Sequence, residues 1–149
     1  MIRPLKPETV VPFLEALGVR TIQMGRLEAS AVLKERDDLT SQFGSLHAAA
    51  LFGVAECASE AILTKNFDLD VYTPLLKSVR ISYQAQIFGE AQARAVVSEE
   101  HLEQAKREID VLGRTDLEIS VRVFSNEVLA AEMDLLWSLR KFIPSSTGN

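Results

Sequence analysis

The sequence predicts a single α+β domain in which a curved, mostly antiparallel sheet wraps round one long buried helix. Three observations carry this reading. The stretch Leu46 to Leu63, LHAAALFGVAECASEAIL, is apolar on nearly all sides of a helical wheel, so other elements must surround it. Runs alternating apolar with polar residues lie on both sides of it, the pattern of half-buried strands. The order of strands, one buried helix, then mostly antiparallel strands belongs to the α+β class.

In chain order, Thr9 to Leu17 forms a short helix with Pro12 in its first turn and Gly18 as its stop, a lid or packing element. From Val19 to Leu33 the alternation changes phase at Gly25. Ile22 and Met24 precede it at even positions; Leu27, Ala29, Ala31 and Leu33 follow at odd ones. A period of two cannot shift phase without a turn or bulge, so two strands meet or bend there. Lys34 to Ser45, polar and carrying Asp37, Asp38 and Gly44, is a loop. The buried helix follows, from about His47 to Thr64, with most of the sheet on one side of it. Val79, Ile81 and Tyr83 alternate with Ser78, Arg80 and Ser82, and Ala91, Ala93, Ala95 and Val97 with Gln92 and Arg94, giving two strands. Ser98 caps a surface helix whose stripe is Leu102, Ala105, Ile109 and Leu112, ended by Gly113; its charges form a solvated face. Leu117 to Val123 and Leu129 to Leu139 are the clearest strands, joined by a hairpin turn at Ser125-Asn126-Glu127. Residues 144–149 form a frayed tail.

Composition bounds the function. A chain of 149 residues is long enough to bury a core without disulfides or metal. With 47% hydrophobic and 25% charged residues it is an ordinary folded domain. A net charge of -5 leaves no global basic surface and weighs against nucleic acid as the main partner. The lone Cys57 reads as a small core side chain in a reducing cytoplasm, and no apolar region follows the basic N-terminus to make a secretory signal. His47, Glu56 and Glu60 argue against a membrane span, because ionised groups are costly in lipid. No His/Cys/Asp cluster has metal-ligand spacing, and neither a Gly-rich phosphate loop nor a Gly-x-Ser-x-Gly elbow is present.

The segment Gln42-Phe43-Gly44-Ser45-Leu46-His47-Ala48-Ala49-Ala50-Leu51-Phe52-Gly53-Val54-Ala55-Glu56 resembles the hotdog-fold thioesterases, and within them the group close to the phenylacetic-acid-pathway type. In that superfamily the loop entering the central helix tends to read Asn-x-x-Gly-x-x-His-Gly-Gly, with an Asp or Glu nine positions after the His; here that position is Glu56. The order of elements extends the resemblance over roughly Val19 to Lys141, including the strand from Lys77 to Tyr83 and Gly89 after it. Three positions depart from the pattern. Ser41 stands where many relatives have Asn, Ala48 and Ala49 replace the glycines, and Leu76 falls near a Ser or Thr of some relatives, with Thr73 and Ser78 as neighbours that can substitute.

The resemblance implies an acyl-CoA thioesterase with a catalytic Glu56 as general base or nucleophile and the helix-start amide of Ala48, with Ala49 beside it, as oxyanion hole. Gly44, Ser41, His47, Ala49, Thr73, Lys77 and Ser78 are the candidate substrate contacts. No cofactor is implied beyond coenzyme A as part of the substrate. Nine residues of helix span about 13.5 Å, too far for the helix start and Glu56 of one chain to grip one carbonyl. The resemblance answers this with a homodimer about a two-fold axis, two sheets joined into one, and pairing of dimers to a tetramer is common in the family.

Plainer readings stand beside these. Glu56 can be a structural carboxylate satisfied by backbone or arginine. His47 reads as a residue holding the loop or lining the pocket rather than a base. Glu60, one turn after Glu56, is either a partner that raises its pKa or part of a dimer seam. Lys77, Arg80 and Arg94 can meet phosphates, but basic residues scattered on strands are usually solvated. The alternative function is a non-catalytic dimer that binds an acyl-CoA or fatty-acyl ligand; a hydratase on the same fold would need a His paired with a carboxylate across the dimer.

Overall fold

In a computed structural model the structure describes residues 11–142. The start of the first expected helix, at 9–10, and the expected frayed tail lie outside them. The helix α1 (Pro12–Leu17) begins on its proline and ends at Gly18, whose φ of 84° is the left-handed conformation a glycine adopts without strain. Its Leu14 is buried, and Leu17 sits where a side chain at Gly53 would collide with it, so the glycine in the long helix makes room for α1.

Strands β1 (Val19–Met24) and β2 (Glu28–Leu33) pair antiparallel on either side of the expected break. The Gly25 amide donates to the Glu28 carbonyl at 2.8 Å, and a Cβ at Gly25 would stand 2.9 Å from that same oxygen. The phase shift is therefore a turn that only glycine fits. The loop after β2 contains one 3-10 turn, Asp37–Leu39. The long helix α2 (Ala48–Asn66) follows, with His47 as its N-cap.

Strand β3 (Tyr72–Tyr83) begins six residues before the first residue of the alternating run that reads as a strand, Ser78. Two features hide its first half. Pro74 looks like a breaker but is tolerated because β3 is an edge strand, and a bulge between Leu76 and Ser78 breaks the alternation at Lys77. Strand β4 (Ala91–Val96), helix α3 (Glu99–Leu112, capped by Ser98) and strands β5 (Arg114–Ser125) and β6 (Val128–Lys141) complete the fold. The β5–β6 turn puts Asn126 and Glu127 at φ values of 49° and 65°, the hand that matches the twist of a two-residue hairpin.

All six strands are antiparallel, in the order β1-β2-β4-β5-β6-β3. On the inner face β2 and β4 pair Ala29 with Ala95, Ala31 with Ala93 and Leu33 with Ala91, all buried. These small side chains let α2 lie close over the middle of the sheet, where Leu51, Val54, Ala58 and Ile62 become fully buried or nearly so. Helix α3 covers the β5 part of the same face with Leu102, Ala105 and Ile109. The outer face carries mostly polar side chains, although Ser30, Val32 and Ser138 on it are buried. Ion pairs cross it from strand to strand, Lys77 to Asp116 at 2.9 Å, Arg80 to Asp134 at 3.0 Å and Arg122 to Glu132 at 3.4 Å. Exposed pairs of this kind contribute little to stability. Beyond α2 and α3 the inner face thins out. Leu76, Val79 and Ile81 of β3 are only half-buried, and the far edge of β3 pairs with nothing among the described residues.

Candidate functional site

The site is built at the start of α2. Its entry loop is held by its own backbone and by Ser41. The Ser41 and Ser45 hydroxyls lie 3.1 Å apart, the Phe43 amide donates to Ser41 Oγ at 3.2 Å, and the Gly44 amide donates to the Ser41 carbonyl at 3.0 Å. Gly44 turns at a φ of 82°. Ser41 thus occupies itself with the loop, as does Gly44. The next two amides anchor the loop's end to the fold: Leu46 N–H donates to Ile87 O at 2.8 Å and His47 N–H to Leu39 O at 2.9 Å.

The first turn of a helix leaves amides without partners, and here they divide unequally. His47 Nδ1 accepts from the Ala49 amide at 3.0 Å, so the ring caps the helix and its proton sits on Nε2. The Ala49 amide, expected beside Ala48 at the helix start, is thus bonded to His47. The His47 carbonyl accepts from Ala50 at 2.9 Å and Leu51 at 3.2 Å. The Ala48 amide, in the same peptide group as that carbonyl, has no acceptor among the described residues, and Ala48 is exposed. A carbonyl accepting two bonds polarises its own N–H, which makes Ala48 a strong free donor. A cleft of about 240 Å³ opens between α1, the 37–40 turn and the helix start, lined by Phe13, Leu17, Asp38, Leu39, Thr40, His47, Ala49 and Ala50.

Two turns along, Glu56 belongs to the stripe Phe52, Glu56, Glu60 and Thr64, the half-buried side of a helix whose other residues from Ala50 to Leu63 are buried. Neither carboxylate has an ion pair or a side-chain hydrogen bond among the described residues. Burial pushes the Glu56 carboxyl above its ordinary range; burial and then the nearby Glu56 do the same to Glu60. Burial also raises the Cys57 thiol between them, whose Sγ is 3.5 Å from Thr21 Oγ1. The Glu56 backbone is fixed from below: Ser59 Oγ donates to its carbonyl at 2.8 Å while accepting from Trp137 Nε1 at 3.1 Å. The structural reading of Glu56, a carboxylate satisfied by a partner, finds no such partner in the described residues.

Thr73, Lys77 and Ser78 are not brought to this site. Thr73 pairs with Arg140 and Ser78 with Leu136 on the outer face, and Lys77 reaches Asp116 there, so the sheet separates all three from α2. Arg80 is likewise taken by Asp134, and Arg94 lies over the Phe124 ring with its guanidinium carbon 4.8 Å from the centroid. A residue outside the expected site set does arrive. Tyr83, the last residue of β3, donates its hydroxyl to the Ala48 carbonyl at 3.1 Å. No local signal separates it from any other strand tyrosine; only the pairing of β3 with β6 carries it to the helix start. Among the described residues no group of three or more His, Cys, Asp or Glu side chains is placed to hold a metal ion, and no helix is long and apolar enough to cross a membrane.

The model of the family described as domain of unknown function DUF4442 matches residues 8–137. The chain belongs to that family. No curated protein matches this DUF4442 member. Its fold is the hotdog, as the order of elements and the resemblance imply, and solved structures share it. A Pseudomonas aeruginosa protein of unknown function, described as a probable thioesterase, superposes with a TM-score of 0.79 at 20% identity over 91% of both chains. A mutant of a thioesterase enzyme from Staphylococcus aureus gives 0.73 at 14% identity, covering 87% of this chain and 99% of that one. A mutant of the phenylacetic acid degradation protein PaaI from Thermus thermophilus gives 0.67 at 23% identity with the same coverage.

Proposed function

We propose that this DUF4442 member hydrolyses an acyl thioester, with coenzyme A as the leaving thiol, in a homodimer whose sites are shared between copies. The observation that carries the reading is Glu56, a half-buried carboxylate without a partner among the described residues, nine positions beyond a helix cap that leaves one amide free. Hydrolysis needs those two things, a donor for the oxygen that gains charge and a base for the attacking water.

In the proposed step Glu56 takes a proton from water as the water oxygen bonds to the carbonyl carbon. The negative carbonyl oxygen rests against the Ala48 amide of the second copy. The C–S bond then breaks, the sulfur takes the proton from Glu56, and a carboxylic acid and a thiol leave. Direct attack by Glu56 gives the same products through an anhydride that water opens. A carboxyl raised by burial is a stronger base than one in water, which suits either role. The cleft between α1 and the helix start receives the acyl group. Support for the dimer comes from the open edge of β3, twelve residues long, and from the half-buried side chains on its inner face.

A panel of acyl-CoA thioesters tests this. Thiol release that Glu56→Gln abolishes, in a protein that still folds and dimerises, is the expected result; an equally active variant overturns the role of Glu56. A second reading, a dimer that binds acyl ligands without turnover, is favoured by the bonding of the Ala49 amide to His47, which leaves a single free amide beside the cap. It requires thermal stabilisation by an acyl-CoA with no thiol released.

A further inference from the structure

Ala48 lies between two peptide groups. In the first, the His47 carbonyl accepts from the Ala50 and Leu51 amides. In the second, the Ala49 amide donates to His47 Nδ1 and the Ala48 carbonyl accepts from Tyr83 at 3.1 Å. A carbonyl in the first turn of an α-helix already serves the amide four residues on, so the tyrosine uses its second lone pair. The hydroxyl is not filling a vacancy in the helix. Tyr83 itself is half-exposed and could bond water instead, yet its backbone is fixed: it pairs with Ala131, and the Gln84 and Ala85 amides both donate to the Ala130 carbonyl, at 2.7 and 3.2 Å.

We propose that Tyr83 is a positioning residue, clamping from the end of the edge strand the peptide that follows Ala48 and so fixing the direction of the free Ala48 amide. The proposal rests on the thioester reading of that amide. A donor stabilises a developing oxyanion only if it is already aimed where the charge appears, and the three bonded groups on the two flanking peptides supply that aim. Tyr83 also links the amide to β3, so the strand whose edge the second copy is proposed to cover carries one of these clamps. Burial raises the phenol pKa and keeps the hydroxyl a donor through the neutral range.

The test is Tyr83→Phe, which keeps the ring and removes the bond. Expected is a kcat lowered about tenfold, the scale of one neutral hydrogen bond, with KM nearly unchanged. Amide exchange at Ala49 and Ala50 should quicken by a similar factor while the thermal midpoint holds. The decisive arm is a cycle with Ala48→Pro, which deletes the amide hydrogen at a helix position where proline fits. Once that hydrogen is gone, adding Tyr83→Phe should cost no further rate. Equal losses in both backgrounds, or unchanged kcat and exchange in Tyr83→Phe, overturn the positioning role. If the wild-type protein turns over no thioester, the catalytic reading fails by itself, and unchanged exchange in Tyr83→Phe still overturns the clamp while quickened exchange upholds it.

Discussion

Helices α2 and α3 lie against the same face of one sheet, and both carry glutamates, but the glutamates have opposite circumstances. On α3, Glu99 and Glu103 both bond Arg26, the former at 3.0 Å, and Glu108 accepts from the Thr115 hydroxyl at 2.7 Å. On α2, Glu56 and Glu60 are half-buried and have no partner among the described residues. Glu99 is open to solvent, while Glu103 and Glu108 are half-buried like Glu56, and all three have partners. Burial makes α2's carboxylates costly, and none was supplied. Under the proposed function this is the expected contrast: half-buried glutamates on α3 are paired, and Glu56 is left unpaired for chemistry.

The largest expected effect breaks that contrast at its centre. Glu56→Gln should lower thioester turnover by about 10³-fold, while Glu103→Gln leaves it as it was, both read by thiol release. Next comes stability. Replacing Glu56 with leucine removes a desolvated carboxylate and adds apolar area to a half-buried stripe, so the variant should gain about 1 kcal/mol at neutral pH by denaturant titration. A loss of that size would mean Glu56 has a partner after all.

The pH dependence sharpens the same point. Both α2 carboxyls have raised native pKa values, so the native state holds protons the unfolded chain has released. Their contribution to stability is present in full below the ordinary carboxylate value and fades as pH rises through the raised native one. Asp116 and Asp134, held low chiefly by hydrogen bonds from Lys77 and Arg80, act with the opposite sign, losing their contribution as pH falls. The difference curve between wild type and a Glu56→Gln, Glu60→Gln double variant isolates the first pair; a flat difference from mildly acidic to neutral pH would contradict it. In turnover the sign reverses, since Glu56 must be ionised to act, and rate should rise across the same window. The smallest effect belongs to α3: Glu103→Ala should cost well under about 1 kcal/mol, the ordinary worth of an exposed ion pair.

Much of this was legible in the sequence because it depends on local pattern. The buried α2, the Ser98 cap and Gly113 stop of α3, and the β5–β6 hairpin follow from periodicity and turn residues. The first half of β3 was not, because an edge strand tolerates a proline and a bulge that a reader of alternation takes for its end. Ile22 and Met24 alternate as core residues do but are exposed on the edge strand β1. At the site, Glu56 and Ala48 could be named from one helix and its loop. Which amide stays free could not, because His47 chooses Ala49 through a ring orientation. Nor could Thr73, Lys77 and Ser78 be excluded, since the face each takes is set by the register with β6 and by the bulge between Leu76 and Ser78.

The length of α2 has a consequence for inheritance. In the proposed dimer each site draws its amide from one copy and its carboxylate from the other, so two differently impaired genes should rescue each other. A chain carrying Glu56→Gln keeps a good amide, and one carrying Ala48→Pro keeps a good carboxylate. Expressed together in equal amounts, they form mixed dimers in about half of all pairings. Each mixed dimer has one intact site and one doubly damaged site, and the culture should recover about a quarter of the wild-type activity.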